Sequence, residues 1–244
     1  MKSIMIHLVA GYPDTKSANK LFNDLISAKV QAIELQIPFS DPIADGPVIM
    51  AANDQAVTHG VGIDEALSLL EGKLGKSKVY IMSYLQPILS YGPNQFFDKA
   101  SKAAGFIIPD LPFDAPEIDQ FLLNHPELMQ KLVPVLSTGM PHERLKQLFA
   151  TLEPELVYVT ARHGITGDKT SEFDDELLDF INDVKNLSSA DIALGFGIQT
   201  PADVKKAAKI ADLPVVGSAI SKIADSPKKV TELINDLARA AKMV

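Results

Sequence analysis

Eight short apolar runs, each followed by a segment with helical spacing, constrain the fold of this chain more than any other feature. The runs cover 3–10, 32–37, 79–84, 106–108, 132–136, 156–160, 192–195 and 213–216. Helices are expected over 17–28, 48–58, 64–74, 95–104, 115–124, 141–152 and 172–186, then from Pro201 and over 227–241. The first shows the pattern: Asp14 is placed to cap it, and Leu21, Phe22, Leu25 and Ile26 recur on one face. Strands that alternate with helices run parallel. Eight such units favour closure into a barrel over a doubly wound open sheet, and 244 residues suit one barrel. No shift of composition marks a linker. The expectation is an α/β fold, a single-domain (β/α)8 TIM barrel spanning residues 1–244.

Charge and residue usage then remove whole classes of function. With 23 basic and 31 acidic residues the formal net charge is −8, which argues against nucleic acid or an anionic membrane as the main partner. The chain has no cysteine, so disulfides, thiolate catalysis and cysteine metal sites are excluded. The apolar run near the amino terminus is too short and too broken for a signal peptide or a membrane span, and the expected location is the cytoplasm. His7, His59, His125, His142 and His163 are scattered without metal-ligand spacing, so no metal is expected. No serine elbow, P-loop or strand-linked dinucleotide fingerprint is present.

Chemistry concentrates between Glu34 and Pro47, read as Glu-Leu-Gln-Ile-Pro-Phe-Ser-Asp-Pro-Ile-Ala-Asp-Gly-Pro. Glu34 interrupts an otherwise apolar strand, and a loop with three prolines and two aspartates follows. The carboxyl end of a parallel strand is where barrels place their reactive groups, and a carboxylate among apolar neighbours is drawn toward proton transfer. Strand alternation turns Ile33 and Leu35 toward the helices and Ala32, Glu34 and Gln36 toward the barrel interior. Asp45 arrives from the loop within reach of the same cavity. Two carboxylates there can divide labour, one exchanging a proton and one stabilising a developing cation. Alternatively, Glu34 pairs with a buried base and Asp45 caps the helix after Pro47.

Two further loops favour the chemical alternative. Gly195-Phe196-Gly197 follows strand seven and Gly217-Ser218-Ala219 follows strand eight, the places where barrels build phosphate sites from backbone N–H groups. The polar stretch 161–170, with Gly164 and Gly167, has the composition of a closing lid in which Thr166 or Arg162 supplies a polar contact. Tyr84 and Tyr158 lie at or near strand ends, where either could touch substrate, although as isolated aromatics they read as core.

The Glu34–Pro47 run resembles the signature of the tryptophan synthase alpha chain family. So, in order along the chain, do Ala10-Gly11-Tyr12-Pro13, Ser90-Tyr91-Gly92, Pro109-Asp110-Leu111-Pro112, Gly164-Ile165-Thr166-Gly167, Gly195-Phe196-Gly197-Ile198 and Gly217-Ser218-Ala219-Ile220. The resemblance implies a lyase that cleaves indole-3-glycerol phosphate by retro-aldol chemistry to indole and glyceraldehyde 3-phosphate, in tryptophan biosynthesis. It implies Glu34 as the acid/base at the indole carbon and Asp45 as the partner of the indole N–H. Tyr158, Thr166 and Phe196 would contact substrate, and Gly167, Gly197, Gly217 and Ser218 would hold the phosphate. It further implies no cofactor in this chain, and a pyridoxal-phosphate beta chain as partner in an αββα heterotetramer, met by Asp41, Pro42 and Gln86.

Some positions depart from the family pattern. Gln36 stands where glycine is usual, Gln86 replaces an asparagine, and the leading helix of relatives is lacking. The inward Gln36 is expected either to hydrogen-bond Glu34 or to crowd the substrate, and Gln36→Gly to preserve or raise activity. The alternative function is a weakly active barrel that serves as an allosteric activator of the beta chain.

Overall fold

A computed structural model of the chain describes residues 4–113, 118–160, 173–195 and 197–242. Its strands are β1 (Met5–Val9), β2 (Ala32–Gln36), β3 (Lys78–Met82), β4 (Gly105–Ile107), β5 (Leu132–Val133), β6 (Val135–Leu136), β7 (Leu156–Thr160), β8 (Asp191–Gly195) and β9 (Leu213–Val216). Every pairing among them is parallel. The sheet order is β5-β4-β3-β2-β1-β9-β8-β7-β6.

The count differs from the expected eight for one local reason. Pro134 falls in the middle of the fifth apolar run, where it has no N–H for the ladder, and the run divides into β5 and β6. These two halves are the ends of the sheet order, so one interrupted strand closes the barrel. The break stays tied down: the Pro134 carbonyl accepts a hydrogen bond from the Tyr158 N–H at 2.9 Å.

Two apolar layers follow from strand alternation. Ile6, Leu8, Ile33, Leu35 and Ile81 pack outward against the helices. Met5, Ala32, Tyr80, Met82, Ala193 and Val215 fill the barrel. Both strand faces are buried, as expected of a parallel sheet sheathed in helices. The parity predicted for β2 therefore holds. In register, His7 of β1 lies beside Glu34, and Glu34 lies beside Tyr80 of β3.

The helices follow the predicted spacing with local changes. Asp14 caps Thr15–Ser27 by accepting from the Ser17 N–H at 2.9 Å. Leu85–Tyr91 is helical although no helix was expected there. Its Pro87 sits in the first turn, where an N–H has no intrahelical acceptor to lose. Gly92, at φ +95°, separates it from Pro93–Lys99, which is shorter than the predicted 95–104 helix. The helix expected over 64–74 ends at Ser68 and tightens to a 3₁₀ turn at Leu69–Glu71.

One glycine sets the barrel's interior packing. A Cβ on Gly195 would overlap the phenol of Tyr158, which crosses from β7 over β8. Gly195→Ala is expected to cost about 1–3 kcal/mol through overpacking, read as a lower urea midpoint at unchanged slope.

Candidate active site

The carboxyl ends of β1, β2, β3, β7 and β9 converge on one cavity of about 650 Å³, including space open to solvent. His7, Glu34, Asp45, Tyr158, Gly197, Gly217 and Ser218 all line it. Glu34 and Asp45 are only 4% and 5% exposed, so two carboxylates are buried in one chamber. Gly197 has φ +83°, a conformation that side chains rarely adopt, which accounts for the glycine in that turn. In the short helix Ser218–Ser221, the first internal bond runs from Ile220 N–H to the Gly217 carbonyl. The N–H groups ahead of it are not used by the helix and stand at the cavity wall.

The loop after β2 is shaped to deliver Asp45. Its N–H bonds the Pro42 carbonyl at 3.0 Å, and the Phe39 N–H bonds Asn53 Oδ1 at 3.0 Å. Asn53 is itself buried and donates to the Ile49 carbonyl at 2.9 Å. Asp45 does not cap the following helix. Gly46 occupies that position, without a side-chain bond. Instead one carboxylate oxygen, Oδ2, accepts from Gln36 Nε2 at 2.7 Å and from the Tyr84 hydroxyl at 3.0 Å. The same hydroxyl accepts from the Ala44 N–H at 3.0 Å. Tyr84 thus bridges the loop and its carboxylate. Asp110 in turn accepts from the Leu85 N–H at 2.9 Å, fixing the backbone next to Tyr84.

Gln36 corrects the expectation drawn from its inward direction. Its amide bonds Asp45 rather than Glu34. It is fully buried and is not among the cavity-lining side chains, so it supports the site from behind and does not crowd it. The partner of Glu34 is His7, whose Nδ1 lies 3.1 Å from Glu34 Oε2. This is ion-pair and hydrogen-bond distance, and Oε2, with no other partner among the described residues, keeps lone-pair capacity for a substrate. Both sequence-based alternatives for Glu34 therefore hold at once: it pairs with a buried base and it faces the cavity.

Electrostatics follow from burial. Burial raises the Asp45 carboxyl above the ordinary carboxylate range, against the opposing pull of His7, Gln36 and Tyr84. Burial and the neighbouring Asp45 push the Tyr84 phenol up. Burial with Glu34 and Asp45 does the same to Tyr158, so both hydroxyls remain donors. Burial, the largest single influence, would lower His7, but the charge and hydrogen bonding of Glu34 together with Asp45 and Gln36 outweigh it, and His7 is raised.

Of the residues expected at the site, Glu34, Asp45, Tyr158, Gly197, Gly217 and Ser218 meet in the cavity. Thr166, Gly167 and Phe196, with the lid at 161–170, lie outside the described residues. Asp41 and Gln86 are exposed, whereas Pro42 is buried, and none of the three lines the cavity. His7, Asn53 and Asp110 were given no role in the sequence, and Tyr84 was read as core, which its burial bears out. The signal for His7 was its position in β1, on the interior side and level with Glu34. Among the described residues no cluster of three or more His, Cys, Asp or Glu is placed to hold a metal, and no helix is long and apolar enough to cross a membrane.

Tyr84→Phe leaves the Ala44 N–H and an Asp45 oxygen each short of a partner. It is expected to cost about 1–3 kcal/mol in urea unfolding. It also removes one bond that holds Asp45 down, so the carboxyl should titrate at still higher pH in carbon-detected NMR.

The chain has counterparts among known proteins. A family model described as "Tryptophan synthase alpha chain" matches residues 2–243. The tryptophan synthase alpha chain of Thermotoga petrophila is 33% identical over 97% of this chain and 99% of its own. That of Dehalococcoides mccartyi is 36% identical, over 97% and 94%. Among solved structures, Mycobacterium tuberculosis tryptophan synthase superposes with a TM-score of 0.84 at 25% identity, covering 98% of this chain and 93% of that one. The tryptophan synthase α2β2 complex of Pyrococcus furiosus gives 0.80 at 27% identity, covering 97% and 99%. With a match over nearly its whole length, the chain belongs to the tryptophan synthase alpha chain family.

Proposed function

We propose that this chain, as a single barrel domain in the cytoplasm, cleaves indole-3-glycerol phosphate to indole and glyceraldehyde 3-phosphate. It acts as the alpha chain beside a beta-chain partner in tryptophan biosynthesis. The observation that carries this is the pair of buried carboxylates, Glu34 and Asp45, lining one cavity with the Gly217–Ser218 backbone. The family match and the α2β2 neighbour support the reaction and the partner.

Each group has a task suited to its surroundings. The Gly197 turn and the N–H groups at Gly217 and Ser218 hold the phosphate, and Tyr158 lines the same cavity. Glu34 gives a proton to the indole carbon that bears the side chain, which makes that side chain a leaving group. Positive charge then develops on the ring nitrogen, whose N–H faces Asp45. The bonds from Gln36 and Tyr84 occupy one Asp45 oxygen and leave the other for that N–H. Glu34 next takes the proton of the side-chain hydroxyl as the carbon–carbon bond breaks. This sequence calls for acid/base groups and a fixed anion, which the chain supplies without a cofactor of its own.

A barrel that only activates a beta chain is the weaker alternative. It rested on Gln36 disturbing the site, and Gln36 instead bonds Asp45 outside the cavity lining.

Steady-state indole release, with and without a cognate beta chain, tests the assignment. Glu34→Gln should lower it by about 10²-fold or more while glycerol 3-phosphate binding stays nearly intact. Retained cleavage would show that Glu34 is not the acid/base. Gln36→Gly should lower release about tenfold, the rate equivalent of one charge-assisted hydrogen bond to Asp45. An unchanged rate would make that bond dispensable.

A further inference from the structure

His7 is a buried titratable side chain that the cleavage scheme above leaves unused. It sits in β1 level with Glu34 of β2, lines the cavity, and is 7% exposed. Its Nδ1 is 3.1 Å from Glu34 Oε2, while its Nε2 is buried with no partner among the described residues. The turn after β9 passes close to the ring: a Cβ on Gly217 would come within 3.2 Å of His7 Cβ and Cδ2. A histidine retained only to fill the barrel would not need an ionisable neighbour. An unpaired ring nitrogen is also costly in an apolar interior. The placement is that of an imidazole clamped between the acid/base and the phosphate turn.

We propose that His7 is a positioning residue that shares the working proton of Glu34, the two side chains holding one proton between Nδ1 and the carboxylate. This proposal rests on the lyase assignment above. The groups facing His7 are Glu34 and Gln36 from β2, Asp45 from the following loop, and the Gly217 backbone at the end of β9. Tyr158 of β7 lies in the same cavity, with its phenol influenced by both carboxylates. Among the described residues no other charged group of these elements acts on the ring. With two acidic neighbours, the proton affinity of the ring is raised despite burial.

The proton balance closes within the pair. At the start one proton lies between His7 and Glu34. Glu34 passes it to the indole carbon, where a C–H bond forms with electrons from the ring double bond, and the ring nitrogen becomes cationic. Glu34 then accepts the proton of the side-chain hydroxyl. The O–H electrons become the new carbonyl bond, and the electrons of the broken carbon–carbon bond return to the indole ring and neutralise its nitrogen. The proton taken replaces the proton given. His7 retains it for the next turnover, at pH values where an isolated carboxylic acid would have lost it.

The pH profile of indole release separates this role from packing. The wild-type chain should lose kcat on the alkaline side as the pair gives up its proton. In His7→Asn the amide can still donate to Glu34 but holds no exchangeable charge, so the alkaline limb should move toward acid by about one unit or more. That displacement is about a tenfold loss above the limb, with glycerol 3-phosphate binding unchanged. A limb that stays in place would overturn the proposal. An independent arm needs no turnover: nitrogen-15 NMR of His7 should show its imidazole titrating about one unit lower in Glu34→Gln than in the wild type. Equal titration in both would overturn the pairing. Absence of indole release from the wild type would sink the lyase assignment, and the NMR comparison would still decide the role of His7.

Discussion

Everything at the mouth of this barrel depends on keeping two carboxylates inside a hydrophobic chamber. An isolated buried carboxylate is among the least tolerable groups in a protein interior. Here each has a dedicated set of companions drawn from different strands: His7 for Glu34, and Gln36 with Tyr84 for Asp45. These companions are themselves anchored. Tyr84 is held through Ala44 and through the backbone that Asp110 binds, and His7 lies against Gly217. The site is therefore a set of interlocked polar bonds within an apolar wall, and its precision comes from the barrel's register.

The division of support also divides the chemistry. The two bonds that reach Asp45 converge on one oxygen, fixing its plane while leaving its partner oxygen free to receive an N–H. Glu34 has His7 beside it at 3.1 Å, and its Oε2 has no further partner among the described residues. A carboxylate that must hold a cation benefits from rigidity. One that must give and take a proton benefits from an unsaturated oxygen and a nearby base. In the proposed cleavage the same residue type takes two tasks, set by what surrounds it.

The barrel was legible because its pattern is local. Strand parity on β2 placed Ile33 and Leu35 outward and Glu34 and Gln36 inward, and the structure agrees. Closure through a broken strand was less visible, since Pro134 reads simply as a residue within an apolar run. At the site, Glu34 and Asp45 stood out as acids in an apolar setting. Their companions did not, because partnership depends on register between strands far apart in sequence. His7 and Glu34 are neighbours only because β1 and β2 align at those residues. Tyr84 reads as core until its hydroxyl is seen to reach Asp45. The direction of Gln36 was correct and its partner was not: nine residues of loop return Asp45 to it, and no strand periodicity reports that.

The arrangement has a consequence for stability that runs against its use in catalysis. Asp45 and His7 both have proton affinities raised by folding, from ordinary values of 3.8 and 6.5. A group of this kind adds stability in full below its unfolded value, and that contribution is lost as pH rises through the folded one. Asp45 therefore withdraws support as the medium moves up from about pH 4, and His7 does so above about pH 6.5. Near neutrality the carboxylate needed to hold a cation is the form that the fold favours less. The apolar layers on both faces of the strands offset that cost. Gln36, Tyr84 and His7 limit it by favouring the charged carboxylate. Removing any of them would shift Asp45 toward its neutral form, which is the easier state to bury and the poorer partner for a cationic ring.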